Sequence, residues 1–142
     1  MPAVRRSSLL LLALVSLGCQ RSPDDTPADA YRSFLNAVRK DKSERALELL
    51  SSPTRQALTR RAQALSAASG GSLSADPVAH LLGPGHPPPP TDVSVKFEDG
   101  ETAVLAVSTA VSTAGSTGEV HLRREAGHWR ISIPVLEQIQ DG

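Results

Sequence analysis

The sequence predicts an α+β domain, with helices first and an antiparallel sheet of about four strands after them. Three observations carry that reading. In the first half, apolar residues recur at i, i+3, i+4 and i+7, as in Tyr31, Phe34, Leu35 and Val38. From Val93 the period changes to two, Val93, Val95 and Phe97 alternating with Ser94 and Lys96. Between the halves lies Gly83–Pro90, whose closing run of prolines lacks the amide donors that helix or ladder requires.

The elements follow in order. Thr26 and Pro27 give a cap and a first-turn proline, opening a helix with one buried stripe. Asp41-Lys42-Ser43-Glu44 resembles a capping box, and it starts a short second helix carrying Ala46, Leu47 and Leu50. Ser52-Pro53 repeats the cap-plus-proline signal, and Ala57, Leu58, Ala62 and Leu65 form a third stripe that ends at Gly70-Gly71. The flanking Arg55, Arg60 and Arg61 read as a solvated helix face. Asp76-Pro77 caps a single turn through Val78, Leu81 and Leu82. Residues 83–91 are a Pro-rich loop, read as a stiff connector in preference to a docking ligand for an aromatic groove.

Asp99-Gly100 marks the first hairpin. A three-residue loop with a glycine bulge would bring Val93, Val95, Phe97, Ala103, Leu105 and Val107 to one face, and that register is the expectation. Ala114–Gly118 is the next turn, and Ala126-Gly127 is a two-residue loop setting Val120 opposite Ile133, Leu122 opposite Ile131 and Arg124 opposite Trp129. The other face carries His121, Arg123, Glu125, His128, Arg130 and Ser132. Pro134 ends the last strand, leaving 135–142 as a tail.

Composition narrows the function classes. A chain of 142 residues holds one domain of ordinary size. Its 15 basic and 15 acidic side chains balance, and one Trp, one Tyr and two Phe offer no stacking platform, so no nucleic-acid partner is expected. One cysteine closes no internal disulfide and assembles no thiolate zinc site. His121 and His128 share a face but lie about 13 Å apart along the strand, too far to share a metal. No nucleophile elbow, P-loop or dinucleotide fingerprint occurs. Catalytic, cofactor and metal residues are therefore all expected to be none.

The N-terminus reads as an address. Arg5 and Arg6 precede the apolar run Leu9–Val15, then Ser16-Leu17-Gly18-Cys19, in the order of a secretory signal. Leu9–Gly18 is too short for a membrane-crossing helix, which takes roughly 20 residues. With its sole cysteine just past that run, the segment resembles a bacterial lipoprotein processing site, where the thiol becomes a diacylglyceryl thioether. Gly18 fits the small residue before the cysteine; Ser16 stands where the pattern usually has Leu. The other reading is an ordinary signal cleavage leaving a soluble secreted protein with a free thiol. The lipoprotein reading is preferred, because an exposed unpaired thiol is a liability in an oxidising compartment and a lipidated one is an anchor. It makes 1–18 the signal peptide, Cys19 the lipidated residue, 19–27 a solvated tether and 28–134 the domain. Loss of Arg5 and Arg6 would leave 13 basic side chains against 15 acidic ones.

The order of elements, with Tyr31-Arg32-Ser33-Phe34-Leu35, Ala46-Leu47-Glu48-Leu49-Leu50 and the closing Gly127-His128-Trp129-Arg130-Ile131, resembles the nuclear-transport-factor-two-like superfamily and its small bacterial lipoproteins. The resemblance spans about 28–134 and implies a cone, a curved sheet wrapped around helices on its concave side. Some members are ketosteroid isomerases, polyketide cyclases or scytalone dehydratases with an Asp, His or Tyr inside the cone. Here the expected inward residues, Val93, Val95, Phe97, Leu105, Val107, Val120, Leu122, Ile131 and Ile133, are not ionisable, so no catalytic residue carries over. Candidate pocket-lining residues are Tyr31, Phe34, Phe97 and Trp129.

The expectation is an envelope lipoprotein, exported and lipid-anchored through Cys19, more in keeping with the outer than the inner membrane because Gln20 follows the cysteine in place of Asp. Its domain would bind a small molecule or a protein without chemistry of its own. The alternatives are a lipid-tethered enzyme of the isomerase or cyclase kind and a structural envelope protein that self-associates through the face of His121, Arg123 and Arg130.

Overall fold

The computed structural model describes residue 22 and residues 24–83, 85–109 and 117–138. Cys19, the signal segment and most of the turn expected at Ala114–Gly118 lie outside the described residues. The chain is α+β, with α1 (Pro27–Arg39), α2 (Ser43–Glu48), α3 (Ser52–Ala68), α4 (Pro77–Leu82), β1 (Pro90–Glu98), β2 (Thr102–Thr109), β3 (Gly118–Glu125), β4 (His128–Ser132) and α5 (Pro134–Gln138). The four strands form one antiparallel meander in the order β1-β2-β3-β4.

Helix starts follow the capping signals, with two shifts. Thr26 Oγ1 accepts the Asp29 amide at 3.1 Å and Pro27 fills the first turn of α1. Asp76 Oδ1 accepts the Val78 amide at 2.9 Å at the start of α4. The cap of α3 is Ser51, one residue before the expected Ser52, and it takes the Thr54 amide. The expected capping box of α2 does not form. Asp41 adopts a left-handed φ of 53°, and Ser43 Oγ donates instead to Asp76 Oδ2 at 2.7 Å, tying α2 to α4.

Leu49 and Leu50 depart from the helical reading. Leu49 closes the turn after α2 (φ −84°, ψ −4°) and Leu50 bridges to β4, where the Ile131 amide donates to the Leu49 carbonyl at 2.8 Å and the Ser51 amide to the Ile131 carbonyl at 2.7 Å. Both leucines are buried. The pairing satisfies backbone groups that an edge strand would otherwise leave open.

The core lies between the helices and one face of the sheet. Phe34, Leu35, Val38, Leu58, Leu105, Leu122, Trp129 and Ile131 are its large members. The β3–β4 register is the expected one, with Leu122 opposite Ile131 and Arg124 opposite Trp129. The first hairpin differs. Val93 and Val95 face Val107 and Leu105 as expected, but Phe97 faces Val104 because the extra residue sits at Lys96, within β1, and not at the glycine. Asp99 explains the shift: its carboxylate gathers the amides of Glu101 and Thr102 at 3.0 and 2.7 Å and moves the turn one residue along. Phe97 is thereby thrown to the open face and is 50% exposed; Val95 is 48% exposed, and neither is core. Val93, Val120 and Ile133 are only partly buried, while Ala103 and Trp129, both expected on the apolar face, are core.

Two further differences concern the ends. The presumed solvated tether contains Asp24, which is 5% exposed. Residues 134–138 of the expected junction and tail form α5, which packs on α3.

The tight loop between β3 and β4 places both Ala126 (φ 49°) and Gly127 (φ 81°) in the left-handed region. A non-glycine residue there costs about 1–2 kcal/mol. Ala126→Gly is expected to raise unfolding free energy by about 0.5–1 kcal/mol in urea titrations, and Ala126→Val to lower it.

Candidate functional site

Two carboxylates are drawn out of solvent around β4, Asp24 held by the Arg130 guanidinium and Glu137 by three hydroxyls. Asp24 Oδ2 accepts Arg130 Nη1 at 2.6 Å, and His128 Nδ1 stands 3.3 Å from the same oxygen. The Trp129 amide reaches the Asp24 carbonyl at 3.4 Å. Burial pushes this carboxyl's pKa up, but the Arg130 hydrogen bond with the charges of His128 and Arg130 outweighs it and leaves the pKa below its ordinary value.

Glu137, on α5, is the second. Its Oε1 lies 2.8 Å from each of the hydroxyls of Ser51, Thr54 and Ser132, and Arg123 Nη2 is 3.9 Å from Oε2. Ser51 and Thr54 are fully buried, and Thr54 Oγ1 also accepts the Ile133 amide at 2.9 Å. Burial again raises the pKa, and the three hydroxyls with the Arg123 charge lower it further than that, to below the usual value. Glu125 completes the arrangement by accepting the Ser52 amide and hydroxyl at 2.9–3.1 Å. The N-terminus of α3, with its partial positive charge, thus sits against two carboxylates, one of which accepts its first amide.

A groove with mostly apolar walls opens between the helices and the ends of β3 and β4, with a volume of about 290 Å³. Tyr31 and Phe34 of α1, Leu81 and Leu82 of α4, and Val120 and Ile131 form its walls. Glu119, His121 and Ser132 bring polar groups to it. Burial raises the Tyr31 hydroxyl pKa, and that hydroxyl makes no hydrogen bond among the described residues. Glu119 is engaged by Lys96 across the sheet, and its pKa is lowered by that hydrogen bond and charge.

Of the four candidate pocket residues, the structure brings Tyr31 and Phe34 together in this groove. Phe97 lies on the exposed sheet face, and Trp129 is packed in the core with the Arg124 guanidinium 5.8 Å from its ring centroid. His121 pairs with Ser132 and His128 with Glu125, at opposite ends of the β3–β4 ladder. His86 stands 4.0 Å from Asp41, and the His80 ring contacts the Ser74 carbonyl. No group of three potential metal-ligating side chains is found among the described residues. Sequence reasoning missed Asp24 and Glu137. Nothing local marks either as buried, although Ser51, Thr54 and Ser132 are small hydroxyl residues with an apolar neighbour on at least one side, a faint sign of an interior acceptor.

No family model, curated protein or solved structure matches the chain. Among the described residues, no helix is long and apolar enough to cross a membrane.

Both depressed carboxyl groups link stability to pH with one sign. Their contribution is complete above the ordinary values of 4.5 for Glu and 3.8 for Asp, and is lost as pH falls below them through the folded-state pKa values. Stability is therefore expected to fall on acidification below about pH 4.5. Glu137→Gln and Asp24→Asn should each lower stability at pH 7 by about 1–3 kcal/mol and flatten that acid limb, as read from urea midpoints across pH.

Proposed function

We propose that the chain is an exported bacterial lipoprotein, anchored to the envelope membrane through acylated Cys19, whose domain binds a small apolar ligand without chemical conversion. The observation that carries this is the spacing of Cys19 and Asp24. The cysteine follows a ten-residue apolar segment, and five residues later the chain is fixed to Arg130 and Trp129 of β4. Five residues extend at most about 18 Å, so a lipid on that sulfur would hold the body close to the bilayer.

The groove supports the binding half of the reading. Its walls are aliphatic and aromatic, with a few polar groups at hand, the usual make-up of a small-molecule site. The buried carboxylates already have donors on them, which favours a fastening role over acid–base work. Helices followed by an antiparallel meander are also the order expected of a nuclear-transport-factor-two-like cone.

Intact mass spectrometry of protein purified from bacterial membranes is expected to show a diacylglyceryl adduct on a chain beginning at Cys19, with Cys19→Ser released from the membrane fraction. An unmodified cysteine in soluble secreted protein overturns the anchor. For the groove, a fluorescent apolar anion such as anilinonaphthalene sulfonate is expected to bind, and Leu81→Arg to weaken it by about tenfold or more at unchanged melting temperature. Unchanged binding in that variant removes the groove as the site.

A further inference from the structure

We infer that the outer face of α1, extended by α2, docks on the phosphate headgroups of an anionic membrane surface; the inference rests on the lipid-anchor reading. The helix buries Phe34, Leu35, Ala37 and Val38 and leaves Arg32, Asn36, Arg39 and Lys40 exposed, so cations at helical spacing share one side. Two shallow basins lie on that side. One, of about 220 Å³, is lined by Lys40, Lys42 and Arg45 with Ser33 and Asn36; the other, of about 470 Å³, by Arg32 and Arg39 with the same Ser33 and Asn36. Five cations thus surround two adjoining concavities, and neither has a carboxylate in its lining.

The local backbone sorts the charges. Asp41, between Lys40 and Lys42 in sequence, adopts a left-handed φ of 53° and lies outside both basins, in a neighbouring one that Lys42 also lines, 4.0 Å from His86. The nearby acids that do meet these cations are Asp29, 3.5 Å from Arg32, and Glu48, 2.9 Å from Arg45; both pairs are exposed and leave the guanidinium groups open to other anions. This concentration is not a reflection of overall charge, because the chain downstream of residue 18 carries more acidic than basic side chains.

The occupant follows from where the chain outside the described residues ends. Its apolar run stops at Cys19, eight residues before Pro27 opens α1. A lipid at that sulfur places the basic face within reach of headgroups, and a single lipid signal is commonly reinforced by a polybasic patch. Asn36, between the two basins, can donate to phosphate oxygens.

The test uses the lipidated full chain reconstituted into vesicles, with a fluorophore on Asn36→Cys or, for comparison, on Gln63→Cys of α3, and a quencher on the lipid headgroups. Incorporation into vesicles reports the anchor; quenching of incorporated protein reports the face, so the two fail separately. In phosphatidylglycerol vesicles the label at 36 is expected to be quenched and the label at 63 not. Quenching at 36 should be lost in phosphatidylcholine vesicles, in about 0.5 M NaCl, where screening reaches only a few ångströms, and in the Arg32→Gln, Arg39→Gln, Lys40→Gln variant. Equal quenching in both lipids, survival in that variant, or loss on neutralising Arg55, Arg60 and Arg61 instead would overturn the inference.

Discussion

The outer edge of β4 is the constraint on which the rest of the molecule depends. A strand at the end of a sheet presents amides and carbonyls that need partners, and here the partners come from the helical half. Leu49–Ser51 pairs with Ile131, and the Asp24 carbonyl takes the Trp129 amide. That short parallel contact brings Leu49 and Leu50 into the core, fixes where α3 begins, and makes helices and sheet a single packed unit. At the far end of the sheet β1 has no such cover among the described residues, which agrees with its proline start, its internal bulge and its exposed Lys96.

Charge is arranged around the same edge. Asp24 and Glu137 are separated by more than a hundred residues, yet both close onto β4 and its flanks, one from before the helices and one from after the strands. Each would be costly to bury alone, and each is offset by cationic partners and hydrogen-bond donors. Fastening both termini in this way leaves the groove between α1, α4 and the sheet as a standing concavity.

Much of the fold was legible in the sequence. The α1 cap, the α4 cap and the register through Leu122, Ile131, Arg124 and Trp129 follow from local chemistry, and the structure shows them; strand β1 is also there, but it starts at Pro90, within the expected loop, and its burial does not alternate. What was not legible depended on distant partners. Leu50 fits a helical stripe as well as a strand, and the edge of β4 decides by bridging it to Ile131. Asp24 lies in a polar run that resembles a tether, and Glu137 in one that resembles a tail; each is buried by groups about a hundred residues away in sequence or by α3. Phe97 alternates correctly with its neighbours, but the side-chain hydrogen bonds of Asp99 shift the turn and place it on the opposite face. Of the candidate pocket, the α1 residues Tyr31 and Phe34 were accessible to periodicity, while Phe97 and Trp129 required knowing the bulge and the packing.

Hydrogen exchange at single-amide resolution tests the β4 edge most directly. If the pairing with Leu49–Ser51 joins the two halves, the Ser51 and Ile131 amides should exchange only through global unfolding, with protection matching the stability measured in urea. Rapid exchange of both amides, with the β2 and β3 amides still fully protected, would mean that the helices and the sheet are not held together along this edge.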